Sequence, residues 1–241
     1  MQRKFPILML HGFTSSLDVI RKPSEKLTSS GFEVSTPVLA GHGKTPSDLI
    51  GVKAANWYED AENSLLELFH KYGKVGLCGL SMGGLCAINL AINHPDKVHF
   101  LACSAPALKF ASPLTIFAPV MAKLFRFWPA PNAFRDQNLG KKLNTNYSRF
   151  PTDTFLELYK WAKSTINILD RITVPVFVQH SLKDQVVAFS GSRLLIEKAS
   201  SREKFLKEYK LSGHEMFLDL ESDIITSDLI AYIENFEKEL V

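Results

Sequence analysis

The chain has 241 residues, of which 46% are hydrophobic and 22% are charged, and its formal net charge is +3. This length and composition fit one large globular domain with a sizeable core, and they exclude a largely disordered chain. Because a net charge of +3 is too small to indicate nucleic-acid binding, we expect no nucleic-acid partner.

Three cysteines, Cys78, Cys86 and Cys103, lie in apolar stretches. Their odd number argues against a disulfide framework, and none has the close Cys/His spacing of a zinc site. We therefore predict buried free thiols in a reducing compartment, no metal, and a cytoplasmic location. The apolar run at residues 5–10 is shorter than the core of a signal peptide.

Short apolar runs alternate with helical patterns along most of the chain. The runs that predict strands cover residues 5–10, 32–36, 74–78, 98–103, 174–180 and 203–209. The run at 203–209 is a weaker signal than the others. The near-continuous apolar character of the other runs is typical of a parallel sheet covered on both faces, so we predict a doubly wound α/β fold. One helix is expected to begin at Asn56, which resembles the cap of a capping box with Glu59.

Residues 105–170 break this alternation, because helical and loop patterns dominate there and no clear strand is visible. The stretch is too long for an ordinary connection. We therefore predict an inserted, mainly helical cap at residues 105–170, and a core domain made of residues 1–104 and 171–241.

The segment CGLSMGG at residues 78–84 places Ser81 directly after a predicted strand and before a predicted helix. In this strand–turn–helix context a G-x-S-x-G motif presents a nucleophilic serine. Side chains at Gly79 and Gly83 would collide with the neighbouring strand or helix at such a turn. We predict that Ser81 is a nucleophile, and a plain tight turn is the alternative.

A serine nucleophile needs a base, and the base needs an orienting acid. In this fold the three residues follow in the order Ser, then Asp or Glu, then His. His214 is the only histidine after the predicted strand at 174–180, and Asp184 follows that strand. We predict Asp184 as the acid and His214 as the base. Other acidic residues, interpreted as caps or surface charges, are Asp18, Asp170, Glu215 and Asp219.

Six segments carry a resemblance to a known family: LMLHGFTSS, TPVLAGHGKTPSDL, NWYEDAE, CGLSMGG, LDRITVPVFVQHSLKDQVV and GHEMFLD. The chain resembles the α/β-hydrolases over nearly its whole length, in particular the small bacterial carboxylesterases and monoacylglycerol lipases. The resemblance implies a triad of Ser81, Asp184 and His214. It also implies an oxyanion hole formed by the backbone N–H groups of Phe13 and Met82.

Physical chemistry supports the same oxyanion hole. One amide belongs to the residue after the nucleophile, and the other must come from the loop after the first strand, where His11-Gly12-Phe13 lies. The alternative for this loop is a strand-end turn with a core aromatic residue. His42, which lies between two glycines, is predicted to be structural rather than catalytic.

The chain departs from the family at several points. Ser181 and Ala188 stand where the family often has glycine and proline, and neither change removes a catalytic group. The chain also begins at the strand that leads to the His-Gly loop. We therefore expect a sheet that is reduced at its N-terminus and essentially parallel.

These features predict a serine hydrolase that cleaves carboxylic esters of short to medium acyl chains through an acyl-enzyme, with monoacylglycerols as candidate substrates. It would need no metal or organic cofactor, and a small-molecule ester would be its partner. An amidase, peptidase or thioesterase using the same triad is the enzymatic alternative. A catalytically idle hydrolase fold that binds a small ligand is the non-enzymatic alternative.

Within the predicted cap, apolar residues crowd into residues 110–128, but Lys123 and Arg126 interrupt them too early for a membrane span. Either the cap buries this face on the core, or part of it also lines an acyl pocket with Phe117, Met121 and Phe125. Residues 105–150 carry seven basic residues against one acidic residue. This imbalance predicts transient contact of the cap with a lipid surface, with ordinary solvated charge as the alternative.

Overall fold

The computed structural model describes residues 4–239. Its strands are β1 (Ile7–Leu10), β2 (Val34–Ser35), β3 (Val75–Leu80), β4 (Val98–Ser104), β5 (Phe127–Pro129), β6 (Arg149–Pro151), β7 (Val176–Ser181) and β8 (Lys204–Tyr209). Its α-helices are α1 (Asp18–Ser29), α2 (Ala54–Tyr72), α3 (Met82–Asn93), α4 (Ala118–Leu124), α5 (Gln137–Leu143), α6 (Thr152–Ile166), α7 (Phe189–Lys198) and α8 (Ser222–Glu239). Short 3₁₀ helices span Pro46–Leu49, Pro113–Phe117 and Leu169–Arg171.

Six strands form one sheet in the order β2-β1-β3-β4-β7-β8, and every neighbouring pair in it is parallel. These are the six strands that the sequence predicts. Strand order reverses beside β1, because the chain moves outward to β2 and then returns to β3 on the other side. The mostly parallel, doubly wound α/β fold is therefore confirmed.

The centre of the sheet is buried on both faces, and the packing of β1 explains why its sequence is apolar throughout. Leu8 and Leu10 join the core that includes α2, α3, α6 and α7. Ile7 and Met9 join the opposite core, which includes α1 and α8. Successive strand residues point to opposite faces, so a strand covered on both sides needs apolar residues at every position.

The start of α2 differs from the sequence prediction. The helix begins at Ala54, and the side-chain oxygen of Asn56 accepts a hydrogen bond from the backbone amide of Lys53 at 3.0 Å. Asn56 is therefore the residue that reaches back to the cap, and it is not the cap itself. The prediction placed the same kind of contact too late in the chain.

The inserted segment, residues 105–170, lies between β4 and β7, which are neighbours in the sheet. It holds α4, α5 and α6 and also the antiparallel strands β5 and β6. The expectation of no strand here is wrong, because strands of three residues are too short to show an alternating pattern. Across residues 4–239, no helix combines the length and apolarity needed to cross a bilayer.

Candidate active site

Ser81 lies at the sharp turn between β3 and α3. Its φ of +56° is uncommon for a residue with a side chain and marks a strained backbone. A Cβ on Gly79 would overlap the backbone of Gly83, and a Cβ on Gly83 would overlap the carbonyl group of Leu10. The two glycines therefore permit the close packing that the turn requires, as predicted.

Hydrogen bonds join three of the predicted site residues. The Ser81 hydroxyl lies 2.9 Å from Nε2 of His214, and Nδ1 of His214 lies 2.7 Å from Oδ2 of Asp184. Ser81 follows β3, Asp184 follows β7 and His214 follows β8, so all three lie at the carboxyl edge of the parallel sheet. With Nδ1–H donating to the carboxylate, Nε2 is free to accept the proton of the serine hydroxyl.

The carboxylate of Asp184 is held on both oxygens. Its Oδ1 accepts from the backbone amides of Val186 and Val187 at 2.8 and 2.9 Å. Its Oδ2 accepts from His214 and also from Nε2 of His180, which lies 3.0 Å away. The carboxylate therefore has little freedom to rotate away from His214.

Sequence reasoning missed the contact of His180. This side chain is fully buried, and its Nδ1 accepts a hydrogen bond from the Ser192 hydroxyl at 2.7 Å. The signal that the sequence offered was the position of His180 near the end of β7, four residues before Asp184. His180 thus gives the carboxylate oxygen that binds His214 a second hydrogen-bond donor.

Opposite charges decide the protonation of this cluster. Burial alone would lower the pKa of His214, but the charge and hydrogen bond of Asp184 and the charge of Glu215 outweigh it and raise the pKa above 6.5. Burial would raise the pKa of Asp184, but His214 and His180 hold it well below its usual range. Asp184 is therefore ionised at neutral pH and stabilises a positive charge on His214.

The loop after β1 brings backbone amides close to Ser81. A Cβ on Gly12 would lie only 3.3 Å from the Cβ of Ser81. Among the described residues, the backbone amides of Phe13 and Met82 donate to no protein acceptor. Amides left free beside a nucleophile are the groups that an oxyanion hole requires.

Two buried histidines hold this loop. Nε2 of His11 accepts from the amide of Leu39 at 3.1 Å, and Nε2 of His42 accepts from the amide of Thr14 at 3.0 Å. Burial lowers the pKa of His11 to about 4 and that of His42 to about 3, so both rings are neutral and can accept. Thr14 has a φ of +64°, and His42 helps to hold it there.

A cavity of about 790 Å³ is lined by Ser81 and His214 together with the inserted segment. Its lining is mainly apolar and includes Phe117 and Met121. Other apolar residues that the inserted segment contributes are Phe110, Leu114, Phe150, Phe155 and Leu158. A cavity of this size and character fits a small molecule with an apolar chain.

A family model described as "Serine aminopeptidase, S33" matches residues 2–221. The chain is an α/β-hydrolase of this family. The hydrolase is 23% identical over 232 residues to a carboxylesterase of Bacillus subtilis (strain 168), covering 96% of this chain and 93% of that protein. It is 28% identical over 222 residues to a thermostable monoacylglycerol lipase of Bacillus sp. (strain H-257), covering 91% and 86%.

A solved structure from a study of metagenome-derived lipolytic enzymes has the same fold. It superposes on the hydrolase with a TM-score of 0.89 at 24% identity, covering 96% of this chain and 94% of that one. The similarity spans the core and the inserted segment alike, because nearly the whole of each chain is aligned.

Phe125 does not belong to the lining of the hydrolase's cavity, so its prediction as a pocket residue is corrected. Helix α4 ends at Leu124, and Phe125 is extended, with φ −130° and ψ 133°. Its half-exposed ring contacts Trp128 edge-on, with 5.7 Å between the centroids. Phe117, Met121 and Phe125 are spaced four residues apart, but the helix ends before position 125, so Phe125 does not share the face of the other two.

Asp219 is buried, so its interpretation as a cap or surface charge is wrong. Its Oδ2 accepts from the amides of Gly213 and Arg135 at 2.6 and 2.7 Å, and its Oδ1 accepts from the amide of Asp136 at 3.2 Å. Gly213 precedes the base candidate His214, and the other two residues belong to the inserted segment. Asp219 therefore ties the His214 loop to that segment.

Glu215 is also buried, at 2% exposure, and is not a surface charge. Its backbone amide and that of His214 both donate to the carbonyl oxygen of Ala133, at 3.1 and 2.8 Å. Its carboxyl group accepts from Nδ2 of Asn146 at 2.6 Å. The inserted segment thus supplies both partners and buries a residue that the sequence alone left at the surface.

The three cysteines do not belong to the lining of the cavity. Cys78, Cys86 and Cys103 are buried and unpaired, and burial raises the pKa of each thiol. Within residues 4–239, no group of three or more His, Cys, Asp or Glu side chains is arranged to hold a metal ion.

Proposed function

We propose that the hydrolase cleaves carboxylic esters of short to medium acyl chains, including monoacylglycerols, through an acyl-enzyme. The observation that carries this proposal is the hydrogen-bonded chain of Ser81, His214 and Asp184 beside a mainly apolar cavity. The two relatives described above, a carboxylesterase and a monoacylglycerol lipase, support the same reaction.

In the proposed reaction, Oγ of Ser81 attacks the ester carbonyl carbon while its proton moves to Nε2 of His214. The amides of Phe13 and Met82 stabilise the resulting oxyanion, and Asp184 stabilises the protonated His214. His214 then gives the proton to the leaving alcohol oxygen as the C–O bond breaks. A water molecule, deprotonated by His214, attacks the acyl carbon, and the carboxylic acid leaves as Ser81 regains its proton.

We assign the acyl chain to the apolar part of the cavity, against Phe117 and Met121, with residues 105–170 acting as a cap over the core. Burying one CH₂ is worth up to about 0.8 kcal/mol. At half that value, the six extra methylenes of an octanoate ester over an acetate ester favour it by roughly 2–2.5 kcal/mol, about 50-fold in kcat/KM.

A substrate profile tests the reaction. We expect kcat/KM for p-nitrophenyl esters to rise about 50-fold from acetate to octanoate, and monooctanoylglycerol to be cleaved. Ser81→Ala is the matched control and should lose both activity and fluorophosphonate labelling. An aminoacyl amide cleaved faster than every ester would favour a peptidase. No covalent labelling of the native protein would favour a ligand-binding role.

We also propose transient contact between the cap and an anionic lipid surface. Leu114, Ile116 and Leu124 are 60%, 65% and 69% exposed on the inserted segment. Between residues 105 and 150, seven basic residues stand against one acidic residue. Exposed apolar side chains with surrounding positive charge suit the surface of an anionic bilayer.

Sedimentation with vesicles tests this contact. We expect more protein to bind phosphatidylcholine vesicles containing 30% phosphatidylglycerol, on the order of the content of many anionic membranes, than phosphatidylcholine alone. Leu124→Glu should reduce the binding. Ile224→Glu replaces a residue of similar exposure on α8 and should not. Equal loss in both variants, or no dependence on anionic lipid, would contradict the contact.

A cytoplasmic location is the last part of this proposal. Its support is the presence of buried, unpaired thiols at Cys78, Cys86 and Cys103, which a reducing compartment preserves. Fractionation of cells that express the protein would test it, and recovery outside the cytoplasm would contradict it.

A further inference from the structure

Glu215 and Asn146 form a polar corner in the lining of the cavity that also contains Ser81 and His214. Oε1 of Glu215 accepts from Asn146, but Oε2 has no hydrogen-bond partner among the described residues. The same holds for Oδ1 of Asn146. Two buried acceptor oxygens therefore lack a hydrogen-bond donor, although their two side chains are hydrogen-bonded to each other.

An unsatisfied buried acceptor is unfavourable, and most such groups in folded proteins have a partner. Burial, together with the charges of Asp184 and Asp219, raises the pKa of Glu215, while His214 and Asn146 oppose the rise. None of the ion pairs formed by the described residues includes Glu215. A hydroxyl group has one hydrogen to donate, so each hydroxyl group that reaches this corner would satisfy one of the two oxygens, and no charged partner is required.

The rest of the cavity indicates which part of a substrate reaches this corner. The acyl chain of an ester is apolar and fits the phenylalanine-rich lining. The polar lining residues Asn132, Asn144 and Ser148 come from the same part of the inserted segment as Asn146. Because the alcohol portion is the part of an ester that can carry hydroxyl groups, the polar corner suits that portion.

We propose that Glu215 and Asn146 form a subsite for a free hydroxyl group on the alcohol portion of the ester. The subsite makes the hydrolase select esters of polyhydric alcohols over esters of simple alkyl alcohols. This inference rests on the proposed ester hydrolysis at Ser81. Since Asn146 belongs to the inserted segment and Glu215 to the loop after β8, the subsite is complete only when these two parts are in contact.

A matched pair of substrates tests the subsite. 2-Hydroxyethyl octanoate and propyl octanoate differ only by a hydroxyl group in place of a methyl group of similar size. We expect the wild-type protein to prefer the hydroxyl ester about 10- to 100-fold in kcat/KM, because the propyl ester leaves a buried acceptor unpaired. Octanoylcholine, which is cationic but has no donor on its alcohol portion, should gain no such preference.

Variants locate the effect. Glu215→Met should bring the ratio of the two rates within about threefold of one, and Asn146→Leu should lower it in the same direction. Thr115→Val, a polar-to-apolar change elsewhere in the cavity lining, should keep the wild-type ratio. The ratio is used because any general loss of activity affects both esters equally. If Glu215→Met fails to fold, Asn146→Leu gives the result.

A wild-type ratio near one would overturn the subsite, as would an unchanged ratio in a folded variant. A preference for octanoylcholine over both neutral esters would also overturn it, since that result would indicate a cation site. Loss of hydrolysis of all three esters, with no fluorophosphonate labelling of Ser81, would instead overturn the proposed function.

Discussion

One oxygen of the Asp184 carboxylate accepts hydrogen bonds from two imidazoles, those of His214 and His180. Replacing Asp184 should therefore affect catalysis through His214. Asn at position 184 would present an N–H group where His214 now donates, so His214 would adopt the wrong tautomer. We expect Asp184→Asn to lower kcat on p-nitrophenyl octanoate about 10³- to 10⁴-fold. Circular dichroism should show an intact fold. A near-normal kcat would contradict the assignment of the acid, and Asp219 would then be tested.

The raised pKa of His214 predicts the pH dependence of the reaction. The proposed base works only when neutral, so kcat/KM should increase with pH, with its midpoint above 6.5. Glu215→Gln removes one of the negative charges that favour the protonated form, so the midpoint should move to lower pH. Rates measured between pH 5 and 9 test both statements. A flat profile, or an unmoved midpoint in the variant, would contradict them.

Among the structural elements, the loop between β8 and α8 is hydrogen-bonded to the inserted segment. The carboxylate of Asp219 accepts hydrogen bonds from backbone amides of the loop and of the inserted segment. Asp219→Asn replaces one acceptor oxygen by a donor that faces these amides. We expect the free energy of unfolding to fall by about 1–3 kcal/mol. We also expect kcat to fall about 10-fold, because His214 loses its anchored position.

Asp223→Asn is the control for that variant. Asp223 lies four residues after Asp219, at the start of α8, but its carboxylate is exposed and pairs with Lys22. We expect it to change neither quantity noticeably. If Asp219→Asn lowers stability but leaves kcat per folded molecule unchanged, the positioning role of Asp219 is wrong.

The elements that sequence reasoning predicted well are those whose signal is local. The turn at Ser81 is encoded by five consecutive residues, 79–83, and the strand before Asp184 begins with the apolar run 174–178. The strand before His214 has three charged residues and is a weaker signal. Parallel strands then bring those three loops to one edge of the sheet. The position of each residue follows from its own strand, so no long-range packing had to be known.

The errors have the opposite cause. Asp219 and Glu215 look like surface charges in sequence, because the amides and the carbonyl group that bury them come from a segment far away in the chain. Phe125 was misplaced because the end of α4 is not marked by glycine or proline at that point. His180 reads as a strand residue, and only the fold turns it toward Asp184.

For the whole molecule, the neutral buried histidines predict sensitivity to acid. His11 and His42 have a pKa of about 4 and about 3 in the folded protein and near 6.5 when unfolded. Below pH 6.5 the unfolded chain binds protons that the folded protein does not, so stability falls as pH falls toward 4. Each histidine contributes a slope of about 1.4 kcal/mol per pH unit.

Urea unfolding at pH 7, 6 and 5 measures this slope. His42→Gln keeps an acceptor for the amide of Thr14 but does not titrate, so its stability should fall less between pH 6 and 5, by about 1 kcal/mol. Lys71→Gln, a surface change on α2, should keep the wild-type slope. An unchanged slope in His42→Gln would show that this ring does not drive the acid response.

The exclusively parallel pairing of the central sheet also governs how the chain reaches this structure. Ile7 pairs with Val34, Leu8 with Leu77, and Leu101 with Val176. No two neighbouring strands of this sheet, among the described residues, are joined by a hairpin, so every pairing must close a long loop before it gains any contact. High contact order of this kind slows folding. The apolar strands therefore stay exposed during refolding, and we expect recovery of the native protein from urea to fall as its concentration rises.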